Sequence, residues 1–330
     1  MRGGHLVSNS PTTGIDNEVR MAAFEWLRAR ETEFGDVLPR TLLSEGFVYH
    51  GQRVPLVGPQ GIFKPRILPK IPLSITTSPK SPYSDSFNSD GFLLYRYRGQ
   101  DQYHHENVGL RDALLHNVPL VYFHGIIPGK YLAVWPVFIV GDNPDDLTFT
   151  VAVDDMSYLR RQKTNLGPAA YIADSDDEAR RSYITYGVKH RLHQRGFRER
   201  VLAAYKEQCA FCRLRHRELL DAAHIIPDNE PGGDPVVNNG IALCKLHHAA
   251  FDNMFIGIRP DYRIIIRDDL LNETDGPMLQ HGLKGLHLTK LTIPRRAELR
   301  PNPEHLVQRW EKFLRKTNRS GATSLSGVTA

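Results

Sequence analysis

The spacing of apolar positions divides the chain before any motif is considered. Val19, Ala23, Trp26 and Leu27 recur at helical intervals behind Asp16, so a helix capped by Asp16 is predicted over 16–34 with that stripe facing a core. From residue 46 the period shortens to the alternation of strands. Segments 46–51, 53–57 and 61–65, punctuated by Pro and Gly, predict short strands of a compact barrel. The turn Gly58-Pro59-Gln60-Gly61, with Lys64 and Arg66 beyond it, suits either a phosphate-contacting loop or an ordinary turn with solvated charges. Further strands are predicted at 92–99, 119–125, 131–140 and 147–153, with a short helix at 107–116 striped by Leu110, Ala113 and Leu114. Residues 156–188 are polar and charged and read as a partly helical linker. Apolar patterning returns at 219–227 and 241–243, two strands around a polar loop, and continues in strands at 262–266 and 286–293. Asn302 can cap a last helix with Pro303 at its first position and Leu306, Val307, Trp310, Phe313 and Leu314 on its buried face. The ends, 1–15 and 317–330, are expected to be disordered. The pattern predicts an α+β chain of two domains, 16–155 and 189–316.

Composition narrows the class. The chain has 330 residues, 41% apolar and 24% charged, enough for two ordinary globular cores. No run approaches the eighteen or so apolar residues of a membrane span, and the opening MRGGHLVSNSPTTG has no apolar segment of a secretory signal. Three cysteines, all with metal-ligand spacing, leave none for disulfides and predict a reducing, cytoplasmic setting, expected to be prokaryotic. A net charge of +5 and a pI near 9.0 suit a polyanionic partner, though the excess is modest.

Candidate chemistry is concentrated between Cys209 and Asp252. Cys209 and Cys212 are spaced Cys-x-x-Cys, and Cys244 and His247 repeat that spacing, so two knuckles can close a tetrahedral Cys3His site for structural Zn2+. Between them a strand delivers His224 near its end, Asn239-Gly240 makes a turn, and Cys244 leads into a helix carrying His247, His248 and Asp252. Residues four apart on a helix share a face, so His248 and Asp252 can look at one ion while His247 turns to the zinc.

In its order of His224, Asn239 and His248, this stretch resembles the HNH nuclease family, the ββα-metal fold. The resemblance implies that His224 is the general base activating water, a role suited to imidazole. It implies that Asn239 holds the loop that aims His224, and that His248 binds a catalytic divalent ion, Mg2+ or similar. Many family members place an acid or His just before the base, where this chain has Ala223; Asp221 or Asp252 could substitute, Asp252 preferred for its register with His248. The duller reading has His224 as a satisfied core histidine and the knuckles as a DNA-binding module. Arg191, Arg195, Arg198, Arg200, Lys206, Arg213, Arg215 and Arg217 accumulate around the first knuckle, and Arg198, Arg213 and Arg215 are candidates for DNA backbone contacts.

The region 83–154 resembles the SRA domain, a PUA-like β-barrel that flips a modified cytosine out of duplex DNA. The resemblance rests on Tyr97-Arg98-Gly99, Asn107 with Leu110, Pro119-Leu120-Val121 and Val134-Trp135-Pro136-Val137. A flipped cytosine needs aromatic faces and an acceptor for its exocyclic amine. The resemblance implies Tyr83 and Tyr97 as the faces and Asp85 as the acceptor, with Asp90 competing for the latter and Tyr95, on the same strand face as Tyr97, for the former. His104, His105 and His116 lack ligand-spaced partners and suit exposed or capping roles.

Together these readings imply a modification-dependent restriction endonuclease acting on double-stranded DNA with modified cytosine. A homodimer is expected, because one nuclease site cuts one strand. The rivals are an HNH nuclease whose N-terminal domain reads sequence, shape or an altered backbone, and a non-enzymatic reader of modified DNA.

Overall fold

A computed structural model describes residues 14–79, 86–87, 92–153, 175–274 and 276–324. The chain divides into two compact units, Met1–Leu192 and His193–Ala330. No helix among the described residues is long and apolar enough to cross a membrane.

The first unit opens with α1 (Gly14–Phe34), which buries Val19, Ala23, Phe24 and Leu27. Two expectations are corrected there. Trp26 is only partly buried and Phe24 takes the core position. Asp16 is not a cap: it lies within the helix, its carboxylate 2.6 Å from Nε of Arg20, both side chains 1% exposed. Arg20 gives its remaining donors to the carbonyls of Ile71, Pro72 and Pro119. A guanidinium buried that deeply requires a counter-charge, and this need overrides capping.

The elements that follow are β1 (Val37–Pro39), α2 (Arg40–Glu45), β2 (Phe47–Tyr49), β3 (Gln52–Val54), β4 (Ile62–Phe63), β5 (Ser74–Thr77), β6 (Ser86–Phe87), β7 (Leu93–Arg96), α3 (His105–Leu115), β8 (Leu120–Ile127), β9 (Lys130–Asn143) and β10 (Thr148–Val153). One sheet runs β4-β5-β8-β9-β10-β7-β6, with β1 added beside β9. Its pairings are antiparallel except β5 with β8. The sheet is curled, since the Tyr95 hydroxyl of β7 donates to the Thr76 carbonyl of β5 at 3.3 Å although three strands, β8, β9 and β10, intervene along the path. Strands β8 and β9 bury both faces: Leu120, Tyr122, Leu132 and Val134 enter one core with Leu110 of α3, while Val121, Phe123, Tyr131 and Ala133 enter another with α1. That double burial explains their unbroken apolar runs. His104 caps α3, accepting from the Glu106 amide.

Helix α4 (Ser175–Ala204) begins inside the segment expected to be linker. Its Val188 and Leu192 join the first unit's core, and the Thr185 hydroxyl accepts from the Val153 amide. Its later residues Phe197, Val201 and Leu202 belong to the second unit's core.

The second unit is built on β11 (Leu220–His224), β12 (Gly240–Cys244) and α5 (Lys245–Asp252), followed by β13 (Ile256–Ile258), β14 (Ile264–Ile266), α6 (Asp268–Asn272), α7 (Pro277–Gly282) and α8 (Pro303–Ser324). Strands β11 and β12 pair antiparallel from Leu220 opposite Cys244 to His224 opposite Gly240. The strand expected at 286–293 does not form as a regular element. Leu288 has φ 62°, and the segment meets β14 through separate bonds such as Ile264 N to Thr289 O and a single bridge, Arg263 to Lys290. Asn302 caps α8, accepting from the Glu304 amide at 2.9 Å. The helix buries Leu306, Arg309 and Phe313, whereas Val307 and Leu314 are exposed, and it continues beyond Thr317 into the stretch expected to be disordered.

Asp16→Ala leaves the Arg20 guanidinium buried without its counter-charge. It is expected to remove about 3–5 kcal/mol of stability from the first unit, read as a lower urea midpoint of that unit's unfolding transition.

Candidate active site and zinc centre

His224 closes β11 directly opposite Gly240. The Phe197 ring of α4 stacks on its imidazole, with centroids 4.0 Å apart and planes 19° apart. This packing needs a glycine at 240, because a Cβ there would lie 2.4 Å from Val201 Cγ2 and 2.8 Å from Phe197 Cζ. Nε2 of His224 is buried and has no hydrogen-bond partner among the described residues. Burial lowers the pKa of His224 below its ordinary value, outweighing the opposite pull of Asp228, Asp252 and Asp221. The ring is therefore neutral near pH 7 and able to accept a proton.

Asn239 is fully buried, and its amide is satisfied by the residues just after His224. Oδ1 accepts from Ile226 N at 2.9 Å, Nδ2 donates to the carbonyls of Ile226 at 3.0 Å and Asp234 at 3.1 Å, and its own carbonyl accepts from Ile225 N at 2.9 Å. These bonds fix the chain direction immediately beyond the imidazole.

His248 lies between two carboxylates. Its Nε2 is 3.1 Å from Asp252 Oδ2 and its Nδ1 is 3.7 Å from Asp221 Oδ2. Ala223, where an acid was sought, is fully buried, and Asp221 lies two residues back on the same strand face. The structure thus brings both candidate acids to His248. The two carboxylates, Asp221 first, push the His248 pKa up to about 9 against the effect of burial, so the ring is protonated at neutral pH with one carboxylate beside each nitrogen. A divalent cation replacing the Nε2 proton would find the neutral imidazole and the Asp252 carboxylate beside it, donors suited to Mg2+ or Mn2+, while Asp221 faces the other ring nitrogen. The three side chains are 22–53% exposed and open to solvent.

Cys209, Cys212, Cys244 and His247 form a separate cluster whose ligand atoms all lie within 4.8 Å of one another. His247 Nδ1 is 3.5 Å from Cys209 Sγ and 3.2 Å from Cys244 Sγ, and the Cys212 and Cys244 sulfurs are 4.0 Å apart. Tetrahedral zinc with Zn–S and Zn–N bonds of about 2.3 and 2.0 Å sets ligand atoms roughly 3.5–3.8 Å apart, so these residues could hold a structural zinc. His247 Nε2 donates to the Gly282 carbonyl at 2.7 Å, which leaves Nδ1 as the free ligand atom. Hydrogen bonding from Cys244 is the main influence pushing the Cys209 thiol down, to about 3.

The remaining predicted residues separate. Arg198 is turned inward, donating to the carbonyls of Arg217 and Leu220 and lying 3.5 Å from Asp221, so its donors hold the start of β11. Arg213 and Arg215 are exposed beside the knuckle, Arg215 bonding Gln208. Tyr83 and Asp85, with Asp90, lie outside the described residues. Tyr97 is a core side chain, 7% exposed, stacked on Phe149 with centroids 4.5 Å apart and bonded to Asp142 and Arg111. A base could stack on it only by displacing one of these neighbours. Tyr95 is equally buried.

Sequence reasoning missed Phe197, Gly282 and Arg309. Phe197 had a signal, since it extends the apolar stripe of Val201, Leu202 and Tyr205 by one turn. Gly282 acts through its carbonyl and had none.

Residues 209–259 match the sequence family described as HNH endonuclease, so the chain carries an HNH endonuclease domain. No curated protein matches the chain. Among solved structures it is similar to a "Modification dependent TagI restriction endonuclease", at 15% identity and TM-score 0.25, covering 74% of this chain and 82% of that one. It is also similar to the "Type IV phosphorothioation-dependent restriction endonuclease ScoMcrA", at 17% identity and TM-score 0.20, covering 58% of this chain and 51% of that one.

Elemental analysis of the purified protein is expected to find one zinc per chain. Cys244→Ser should lose that metal and lower the second unit's melting temperature, because ligand binding and folding are linked.

Proposed function

We propose that this chain is a modification-dependent, type IV-like restriction endonuclease. Its N-terminal unit binds duplex DNA containing 5-methyl- or 5-hydroxymethylcytosine, extruding the base, and its HNH domain hydrolyses the phosphodiester bond. The observation that carries the nuclease reading is the pairing, within one ββα unit, of a neutral His224 with a buried unpartnered nitrogen and the Asp221, His248, Asp252 cluster.

His224 takes a proton from water as the water oxygen bonds to phosphorus, and the bond to the leaving deoxyribose oxygen breaks, that oxygen gaining a proton from solvent. Phe197 and Asn239 restrict the imidazole so that its orientation precedes substrate binding. His248 with Asp252 or Asp221 would hold a divalent ion, which would supply charge neutralisation at the scissile phosphate. Arg213 and Arg215 offer exposed cations to flanking phosphates.

A second reading is favoured by the burial of Tyr97: the N-terminal unit reads sequence, shape or an altered phosphate backbone without taking up a base. Matched plasmids carrying methylated, hydroxymethylated, phosphorothioated or unmodified DNA separate the two. The first reading expects cleavage confined to modified cytosine, and equal cleavage of unmodified plasmid overturns it.

His224→Ala is expected to lower the single-turnover cleavage rate by about 10²–10⁴-fold while leaving the affinity for modified duplex intact by mobility shift. Wild-type cleavage by this variant rules out His224 as the base. The base form of His224 is lost only as pH falls through a pKa below the ordinary 6.5, and a nearby cation shifts it the same way. At saturating divalent cation, where proton competition at His248 no longer limits the rate, the acid limb of a single-turnover pH–rate profile should therefore lie below pH 6.5, and a limb above that value contradicts the assignment.

A further inference from the structure

Asp252 occupies an unfavourable place for an anion. It is the last residue of α5, where the carbonyl ends of the helix already concentrate negative charge. Its Oδ2 faces His248, so its other oxygen must be restrained from elsewhere if the carboxylate is to keep that direction. The restraint comes from α8, beyond the residues matched to the HNH family. Arg309 is 4% exposed, and its Nη2 donates to the Phe251 carbonyl at 2.9 Å and lies 3.8 Å from Asp252 Oδ1. Its guanidinium also lies over the Phe251 ring, 4.3 Å from the centroid.

A guanidinium this buried needs a purpose beyond solubility, because its desolvation is costly unless it is paired. Its nearest anion is a candidate cation ligand, and its nearest acceptor is the carbonyl preceding that ligand. Lys312, one turn further along α8, pairs with Glu230 in the loop after His224, so the same helix also ties down that loop.

From this geometry we infer that Arg309 is a positioning residue of the nuclease site, clamping the end of α5 and Asp252 Oδ1 so that Oδ2 stays turned toward His248 and a bound divalent cation. The inference rests on the reading of Asp252 as part of the cation-binding cluster. Arg309 touches no reacting atom and acts through Asp252 alone.

Two effects of Arg309 oppose each other, which makes the sign of the result decisive. Its charge repels a cation, so removing it would tighten binding if charge were all that mattered. Its clamp holds a ligand, and loss of such outer partners weakens metal binding by about 10–100-fold. The clamp is expected to win, because the Asp252 carboxylate faces Arg309 with Oδ1 and His248 with Oδ2, so its own negative charge lies between the guanidinium and the cation.

The test is Mn2+ binding to the zinc-loaded full chain, followed by the electron paramagnetic resonance of free Mn2+, with nicking of modified plasmid measured in parallel. Arg309→Met is expected to weaken Mn2+ binding by about tenfold with zinc content retained. Arg309→Lys keeps the charge but cannot reach both acceptors, so it should weaken binding as well. If the Met variant loses zinc through misfolding, the Lys variant carries the test. In the Asp252→Asn background neither change should weaken binding further, as expected of residues acting in series. Unchanged or tighter Mn2+ binding in either variant, or losses that add to that of Asp252→Asn, overturns the inference. Wild-type protein that binds Mn2+ without nicking DNA overturns the nuclease reading and leaves Arg309 in its role; wild-type protein that binds no Mn2+ overturns both.

Discussion

Two adjacent histidines on one short helix must serve opposite sides of it. Successive helical residues point about 100° apart, so once His247 is drawn into the sulfur cluster the direction of His248 follows. The Gly282 carbonyl on His247 Nε2 sets which ring nitrogen faces the sulfurs. The helical phase thereby set turns His248 toward Asp221 and carries Asp252, one turn on, to the same side. The knuckle residues do more than staple the second unit: they set the rotation of α5 and with it the position of the acidic cluster.

A second constraint acts on His224. The strand pairing brings it opposite Gly240, and the missing side chain at 240 admits Phe197, which stacks on the imidazole. The same packing partly buries the ring and lowers its pKa, which keeps it neutral. Position and protonation state thus share one cause. Asn239 completes the arrangement by occupying the backbone groups of Ile226, which leaves the residues after His224 no freedom to swing the strand end.

The two units differ in how much could be read from local pattern. In the second, ligand spacing, the Asn-Gly turn and the helical register of His248 and Asp252 are all short-range, and the match to HNH endonuclease falls on the same residues. In the first, Tyr95 and Tyr97 were correctly assigned to one strand face, but alternation does not say whether that face is a cavity or a core. Contacts with Phe149, Arg111 and Asp142 from other elements fill the space around Tyr97. Asp16 was likewise legible as a helix-start residue, and only Arg20's burial against carbonyls of the 71–72 and 119 segments made it an internal counter-ion.

Arg309 marks the boundary between the two kinds of information. Along α8 the apolar stripe read from the sequence was Leu306, Val307, Trp310, Phe313 and Leu314, of which Leu306 and Phe313 are buried and Val307 and Leu314 are exposed, while another inward position is filled by Arg309, which hydrophobic periodicity assigns to solvent. The sequence by itself determined the order of ligands, the two spaced knuckles and the helices and strands that carry them, because these depend on residues a few positions apart. Only the tertiary structure decided that Asp221 comes beside His248, that Phe197 covers His224 and that Arg309 reaches Asp252. Each of those contacts joins segments distant in the chain, and their approach depends on how whole elements pack.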